Sequence, residues 1–196
     1  MEIETIRRNL KDLLDARGDD VSYIEEHGDA VDPMRYYSEV ITLDTDRTTV
    51  FFVLSKEKFK EWKVQHEAAE GMVEKYHTKN FILVVVEGHI SPNVATQLLA
   101  RDKALQLMGG SLQIFTTKEL MYNPLKHTLV PKHEKLSEEE AKSLLEQYMV
   151  KHRSHLPIIS RNDMIARWLG LKHGDIVRIT RHNDTSGTYF YYRCCV

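Results

Sequence analysis

The stretch L-G-L-K-H-G-D-I-V-R-I, residues 169–179, decides the fold of the last third of the chain. After a short polar segment, T-S-G-T-Y-F-Y-Y-R follows at residues 185–193. β-Branched and aromatic side chains fill both stretches, and residues that favour turns lie between them. We therefore predict two strands, 175–181 and 188–196, joined by a hairpin turn at residues 182–187.

The fifty residues before this hairpin predict two helices. Ser137 and Glu140 have the spacing of a capping box, which marks the start of the first helix. Asn162 or Asp163 caps a second, short helix that ends at Gly170. The first helix carries its apolar stripe at Ala141, Leu144, Leu145 and Tyr148.

The beginning of the chain mixes helical and strand patterns. We predict a helix over residues 3–17, a loop over 18–36, and a hairpin of strands 39–43 and 48–54. A long helix then begins at Ser55 and buries one face. This face is formed by Phe59, Trp62, Ala69, Met72, Val73 and Tyr76.

The segment that follows predicts a parallel sheet. Residues 81–86 form a continuous apolar run, typical of a strand buried on both faces. After a turn, Ser91 and Pro92 start a helix that runs to Met108. A strand over residues 111–115 and a capped short helix complete a strand–helix–strand–helix order, which implies parallel strands. The capping box lies at Thr116 and Glu119.

The predicted fold class is α/β, or α+β over the whole chain. An N-terminal α/β domain covers residues 1–125, and a small C-terminal α+β domain over residues 126–196 ends in the hairpin. Pro124 and Pro131 bracket a predicted linker.

The two predicted domains differ in charge. The first domain has 15 Lys and Arg against 21 Asp and Glu, and the second has 12 against 8. This asymmetry has two explanations: chance drift in composition, or two modules that have different partners. The acidic first half is not expected to bind DNA tightly by itself, because phosphate contacts require clustered Lys and Arg.

Composition excludes several classes of protein. Hydrophobic residues make up 42% and charged residues 29% of the chain, as in an ordinary globular protein. The longest apolar run has about six residues, too few to cross a membrane, and no secretory signal is visible at the acidic N-terminus. The two cysteines, Cys194 and Cys195, are adjacent and do not predict a disulfide scaffold. A reducing compartment, the cytosol or the nucleus, is indicated.

No cofactor, metal or small-molecule ligand is predicted. Phosphate-binding and dinucleotide-binding glycine motifs are absent. Zinc would need two tight ligand pairs, whereas the histidines offer one loose pair, His152 and His155, and no C-x-x-C motif. The other histidines in the second domain are His127, His133, His173 and His182.

The sharpest enzymatic alternative is a metal-dependent nuclease or DNA-binding enzyme built on the first domain. Its carboxylates would be Glu39, Asp44 and Glu87, next to predicted strands. No strand carries the acidic-x-Lys pair that this chemistry requires, and Asp44 and Asp46 are explained as turn formers. No catalytic residue is therefore predicted.

Two segments could bind nucleic acid. The aromatic run at residues 189–192, with Arg178, Arg181 and Arg193 nearby, could stack single-stranded bases, but core or interface packing explains it better. The loop containing Ile90 leads into a helix whose N-terminus carries partial positive charge, which suits phosphate.

The order and spacing of several blocks resemble RNA polymerase subunit 5, which has a shorter archaeal relative that lacks the N-terminal domain. The blocks are H-T-L-V-P-K-H at residues 127–133, Leu156-Pro157, and the two stretches quoted at the start. The resemblance is dense after His127 and looser before it. There it rests on the opening helix, on the apolar run leading to Ile90-Ser91-Pro92, and on the segment from Phe115 to Leu120.

The resemblance implies a non-catalytic subunit of a nuclear DNA-directed RNA polymerase. The C-terminal assembly domain would dock on the largest subunit, and the N-terminal jaw domain would lie beside downstream duplex DNA. Membrane partners are not implied. The DNA-proximal turn would comprise Ile90, Ser91, Pro92 and Asn93. The subunit interface would comprise Leu129, Val130, Pro131, Leu156, Pro157, Tyr191 and Arg193.

Three departures from the family pattern leave open which polymerase the chain serves. Ile158 stands where the family usually has arginine after Leu-Pro, and Met164 follows Asp163 where the family usually has proline. His173 replaces the usual basic residue of the G-L-K-x-G turn. An adaptor that uses the C-terminal domain in a non-polymerase complex is a third interpretation.

Overall fold

The computed structural model describes residues 2–22, 24, 31–86, 88, 90–183, 185 and 187–196. The chain divides into two compact units, Met1–Tyr122 and Asn123–Val196. The first is α/β and the second is α+β with a terminal hairpin, so the predicted fold class is confirmed. That these units are a jaw and an assembly domain stays a prediction.

The first unit is built on a four-stranded sheet in the order β1-β2-β3-β4. The strands are β1 (Ile41–Asp44), β2 (Thr48–Val53), β3 (Asn80–Val85) and β4 (Ser111–Thr116). β1 and β2 form the predicted antiparallel hairpin, whereas β2, β3 and β4 run parallel. All residues of β2 and five of the six in β3 are buried, as expected of strands covered on both faces.

Six helices accompany this sheet in the described residues. They are α1 (Glu2–Arg17), α2 (Arg35–Ser38), α3 (Lys56–Gln65), α4 (Ala69–Tyr76), α5 (Pro92–Leu107) and α6 (Thr117–Leu120). The predicted opening helix is confirmed, and it ends before Gly18, which has a φ of 77°. The predicted capping box of α6 is present, with reciprocal Thr116 and Glu119 hydrogen bonds.

Two predictions for the first unit were wrong. The single helix predicted from Ser55 is two helices, because the chain leaves the helical path at His66, whose amide makes the last hydrogen bond of α3 with the Trp62 carbonyl. The predicted loop 18–36 reaches into α2, where Tyr36 is fully buried and its ring lies edge-on to Phe52 at 5.0 Å. A buried tyrosine therefore anchors a segment whose composition is polar.

The second unit contains a four-stranded sheet in the order β5-β7-β8-β6. The strands are β5 (Lys132–Lys135), β6 (Ile158–Ile159), β7 (Ile176–Asn183) and β8 (Gly187–Cys195). β7 and β8 form the predicted hairpin. β5 and β6 were not predicted, since β5 reads K-H-E-K with no apolar residue and β6 has only two residues. Only their pairing with β7 and β8 makes them strands.

Two helices cover opposite faces of this sheet. α7 (Glu138–Gln147) begins with the predicted capping box, and α8 (Met164–Trp168) is capped by Asp163. Ala141 and Leu144 of α7 pack with Leu136 and Ile176 in one cluster. The cluster on the α8 face comprises Ile159, Ala166, Leu169, Leu171, Val177, Ile179 and Cys195.

The predicted linker between Pro124 and Pro131 was also wrong. Pro124 is buried and opens a 3₁₀ helix, Pro124–Lys126, that Asn123 caps through its side chain. Leu125 packs against the cluster on the α8 face. The segment is therefore an integral part of the second unit.

Candidate functional site

Three of the predicted interface residues meet in one groove of the second unit. The groove has a volume of about 300 Å³ and lies between α7, the Leu156-Pro157 turn and β8. Leu156 packs against the cluster below α7, and Pro157 is exposed at the rim. The groove is lined by Leu144, Leu145, Tyr148, Val150, Leu156, Pro157, Phe190, Tyr191 and Tyr192. We refer to it as the α7 groove.

Aromatic rings form much of the α7 groove. The side chains of Tyr148 and Phe190 are 56% and 54% exposed. Large apolar side chains are usually buried, so these two rings form an exposed apolar patch. The rings of Tyr148 and Tyr192 lie 5.9 Å apart. Exposed apolar patches of this kind mark sites of interaction with other proteins, and tyrosine and phenylalanine are enriched at the centres of interfaces.

A second groove contains two other predicted interface residues. It has a volume of about 540 Å³, and Leu129 at its edge is 85% exposed. Val130 does not line it; its backbone amide donates to the His127 carbonyl and closes the turn. The lining residues are Thr128, Leu129, Pro131, Thr180, Arg181, His182 and Tyr189. Five of the seven predicted interface residues therefore line these two grooves, and Val130 and Arg193 line neither.

Tyr191 and Arg193 lie on the same face of β8, two residues apart. The Arg193 guanidinium carbon is 5.6 Å from the centre of the Tyr191 ring, and that of Arg181 is 5.0 Å from it. Two cations thus contact one aromatic ring, a favourable arrangement for each pair. In the described part of the chain neither guanidinium forms an ion pair, whereas Arg178 is 3.1 Å from the Glu134 carboxylate.

A half-buried histidine, His133, supports the turn that carries Pro131. The His133 ring nitrogen Nδ1 lies 2.6 Å from the Pro131 carbonyl oxygen. Burial lowers the pKa of His133 below its ordinary value, and the charges of Arg193 and Arg181 act in the same direction. The neutral ring donates to the Pro131 carbonyl, so the positive charge of this face belongs to the arginines.

The predicted DNA-proximal turn lies at the carboxyl-terminal edge of the parallel strands. β3 ends before it and α5 begins after it, so the turn is adjacent to a helix N-terminus. Ser91 is the N-cap by backbone conformation, but its side chain makes no cap hydrogen bond. Ser91, Pro92 and Asn93 are exposed, whereas Ile90 is half-buried and packs against the core. Ile90 therefore fixes the turn, and the other three residues are available for contact.

The carboxylates of the nuclease alternative do not form a metal site in the described residues, where no group of three His, Cys, Asp or Glu side chains could hold a metal ion. Glu39 is ion-paired with Arg35 at 2.7 Å, and Asp44 is exposed at the end of an edge strand. Glu87 lies outside the described residues.

Among the described helices, none is long and apolar enough to span a membrane.

Sequence reasoning did not assign Tyr148, Phe190, Tyr192 and Arg181 to the candidate interface. The predicted apolar stripe of this helix includes Tyr148, whose side chain is largely exposed. The alternation of β8 could have shown that Phe190 and Tyr192 share one face and Tyr191 and Arg193 the other. Nothing in the sequence shows that the first pair meets α7.

Comparisons with known proteins show which family the chain resembles. Residues 122–195 match the family model of RNA polymerase Rpb5, C-terminal domain. The chain is 48% identical over 75 residues to DNA-directed RNA polymerase subunit Rpo5 of Pyrococcus horikoshii, which covers 38% of this chain and 90% of that protein.

Two eukaryotic proteins are similar over a longer stretch. Over 117 residues, the chain is 42% identical to DNA-directed RNA polymerases I, II, and III subunit rpabc1 of Dictyostelium discoideum, covering 60% of this chain and 57% of that protein. It is 32% identical over 113 residues to DNA-directed RNA polymerases IV and V subunit 5B of Arabidopsis thaliana, covering 58% and 48%. The match spans about half the length of each of these two proteins.

Proposed function

Since the chain belongs to the RNA polymerase subunit 5 family, we propose that it is a non-catalytic subunit of a DNA-directed RNA polymerase. The observation that carries the proposal is the match to archaeal Rpo5, which extends over 90% of that subunit at 48% identity. The proposed location is the nucleus, as the names of the eukaryotic relatives suggest. No cofactor or small-molecule ligand takes part.

We propose that the second unit docks on the largest polymerase subunit. The α7 groove and the groove beside Leu129 each combine exposed apolar residues with a defined concave shape. Both lie in the unit that matches the family model. A few buried anchors usually supply most of the binding free energy of such an interface. Pro157, Tyr191 and Arg193 are the proposed anchors from the predicted set.

We propose that the first unit forms the jaw and that Ser91, Pro92 and Asn93 face downstream DNA. The support is the position of these exposed residues at the N-terminus of α5, a helix of 16 residues. A helix N-terminus carries partial positive charge and free amide groups, which favour phosphate. Because the first half of the chain is acidic, other subunits would supply most of the phosphate contacts.

Affinity purification of the tagged full-length chain tests the assignment. We expect the two largest polymerase subunits to be recovered in amounts equal to the chain. An adaptor of a non-polymerase complex would instead recover other proteins without these subunits, and a stand-alone enzyme would recover neither. Either result contradicts the proposal.

A charge placed in the DNA-proximal turn tests the jaw assignment. Asn93→Glu puts a negative charge at the N-terminus of α5 and should shorten the lifetime of elongation complexes. Gln97→Glu adds the same charge one helical turn later at an exposed position, as a matched control. The difference should shrink at high salt, because phosphate contacts are screened. Equal lifetimes for both variants at low salt contradict the jaw assignment.

The absence of catalysis is tested directly. The purified chain should cleave neither DNA nor RNA in the presence of Mg²⁺ or Mn²⁺. Cleavage that depends on the divalent ion and disappears in Asp44→Ala would support the nuclease alternative instead.

A further inference from the structure

β8 has one open edge over most of its length. On one side its residues pair with β7 from Gly187 to Cys194. On the other side β6 pairs only with Cys194 and Cys195. In the described part of the chain no strand lies beside residues 187–193 on that side.

A proline explains why the pairing with β6 stops. The Cys194 amide donates to the Pro157 carbonyl at 2.8 Å. In a parallel ladder the next bond would run from the amide of residue 157 to the carbonyl of Tyr192. Proline has no N–H, so this bond cannot form. The chain before Pro157 then leaves the sheet as a 3₁₀ helix, Arg153–His155.

The register identifies the backbone groups that face the open edge. In an antiparallel pair, alternate residues direct their N–H and C=O groups toward the partner strand. Cys194 directs its amide toward β6, so Tyr192 and Phe190, two and four residues earlier, face the same way. Tyr189, Tyr191 and Arg193 face β7. The open edge therefore presents the backbone groups of Phe190 and Tyr192.

This edge lacks the usual protection against pairing with another chain. Natural proteins keep exposed edges short, or place lysine, proline or a bulge on them. Residues 187–193 contain neither lysine nor proline and include three tyrosines and a phenylalanine. The β7 register across this stretch runs without a bulge. An edge with these properties is suited to accept an added strand.

The two faces beside the open edge differ in chemistry. On the α7 side, the α7 groove lies along Phe190 and Tyr192 and offers an apolar cavity of about 300 Å³. On the opposite side, Arg181 and Arg193 flank Tyr191. Side chains of an added strand alternate between these faces. One face would therefore take apolar side chains, and the other would take acidic ones.

Three of the eight acidic residues of the second unit pair with cations other than Arg181 and Arg193. Glu134 pairs with Lys132 and with Arg178, Glu138 with Arg153, and Asp175 with Lys135. Residues 126–196 contain 12 Lys and Arg against 8 Asp and Glu. Arg181 and Arg193 are thus cations that an acidic partner could neutralise.

We propose that β8 accepts an extended segment of another polymerase subunit as an added strand, and that this segment alternates apolar and acidic side chains. Its backbone pairs with Phe190 and Tyr192, its apolar side chains enter the α7 groove, and its carboxylates meet Arg181 and Arg193. The inference rests on the proposed function, because it takes the partner from the polymerase.

Hydrogen exchange on the unmodified chain is the first test. In the free chain, the Phe190 and Tyr192 amides should exchange fast, and the Tyr189 and Tyr191 amides, which bond to β7, should exchange slowly. In the purified polymerase, exchange at Phe190 and Tyr192 should slow at least about tenfold. Unchanged exchange at these two amides in the assembled enzyme overturns the proposal. Slow exchange in the free chain that depends on its concentration would indicate pairing between two copies, and also overturns it.

A proline substitution tests the backbone pairing separately from the side chain. Phe190→Pro removes the outward amide but leaves the bonds to β7, whereas Phe190→Ala removes only the ring. The melting curves of both variants must first match that of the wild type. Phe190→Pro should then be retained on the polymerase at least about tenfold less than Phe190→Ala. Equal retention overturns strand addition, whereas failure of the wild-type chain to co-purify defeats the proposed function itself.

The acidic character of the segment has its own test. The double variant with Arg181→Gln and Arg193→Gln should be retained less on the polymerase than the full-length wild-type chain. This loss should grow as the salt concentration is lowered, because the attraction in the wild type is then least screened. Lys151→Gln, at an exposed position outside β8, is the matched control. Retention that is the same in the double variant and the control at every salt concentration overturns the acidic assignment.

Discussion

The side chain of Asn9 donates a hydrogen bond of 2.7 Å from Nδ2 to the backbone carbonyl of Leu120, which lies 111 residues away in the sequence. Both residues are buried, at 6% and 0% exposure. The bond connects α1 to the end of α6 and satisfies a carbonyl that has little access to water. It joins the two ends of the first unit.

Loss of this bond should destabilise the first unit. Asn9→Ala leaves the Leu120 carbonyl without its donor, which costs about 1–3 kcal/mol in the free energy of unfolding. Urea titration followed by circular dichroism measures the change. Gln97→Ala removes an exposed amide and should stay within about 0.5 kcal/mol of the wild type. Equal effects of the two substitutions contradict the role of the bond.

The stability of the first unit should fall in mild acid because of His66. Its Nδ1 and Nε2 lie 2.9 Å from the Trp62 carbonyl and the Tyr76 hydroxyl, and burial lowers the pKa of His66. The unfolded chain therefore binds a proton more readily than the folded one, so stability is full above the unfolded pKa of about 6.5 and falls below it.

Urea midpoints measured between about pH 7.5 and pH 5 test this dependence on His66. His66→Gln should be less stable at neutral pH, since it loses packing against Trp62, but its midpoint should vary less with pH. His152→Gln, at an exposed histidine, is the control and should keep the wild-type slope. An unchanged slope in His66→Gln would show that other groups cause the acid sensitivity.

The second unit should fold without the first if its opening segment is kept. A fragment of residues 123–196 should give dispersed amide signals in NMR spectra. A fragment that begins at residue 127 loses the packing of Leu125 against the α8 cluster and should be less stable by about 1–2 kcal/mol. Equal stability of the two fragments would mean that residues 123–126 act as a linker after all.

The two cysteines should react slowly in the folded chain. Burial raises the pKa of the Cys195 thiol to about 11 and also raises that of Cys194. Both thiols are therefore protonated near neutral pH, and the thiolate is the reactive form. Alkylation by iodoacetamide should be at least about tenfold slower in the folded chain than in urea, because the folded chain has a smaller thiolate fraction.

The same thiols should make the fold sensitive to alkaline pH. Folding raises the pKa of both thiols, so the protonated thiols contribute fully to stability below the unfolded pKa of about 8.5. This contribution is lost as the pH rises toward about 11. Cys195→Ala should weaken this loss, although it leaves a small cavity. Fast alkylation of the native chain at neutral pH would contradict the buried position of both thiols.

The sequence by itself determined the elements whose signals are local. The capping boxes at Ser137 and Thr116, the buried strand β3 and the β7–β8 hairpin were all predicted from neighbouring residues, and the structure confirms them. The family resemblance is confirmed as well, by the match of residues 122–195 to the Rpb5 C-terminal domain and by the similarity to RNA polymerase subunits.

Only the tertiary structure decided the elements that depend on distant partners. β5 is a strand because β7 pairs with it, and Leu125 is a core residue because α8 lies beside it. The α7 groove likewise needs α7 and β8 to meet, more than forty residues apart in the sequence. The physical reason is that caps and turns satisfy backbone groups within a few residues, whereas strand edges and grooves are completed by surfaces that the sequence does not place together.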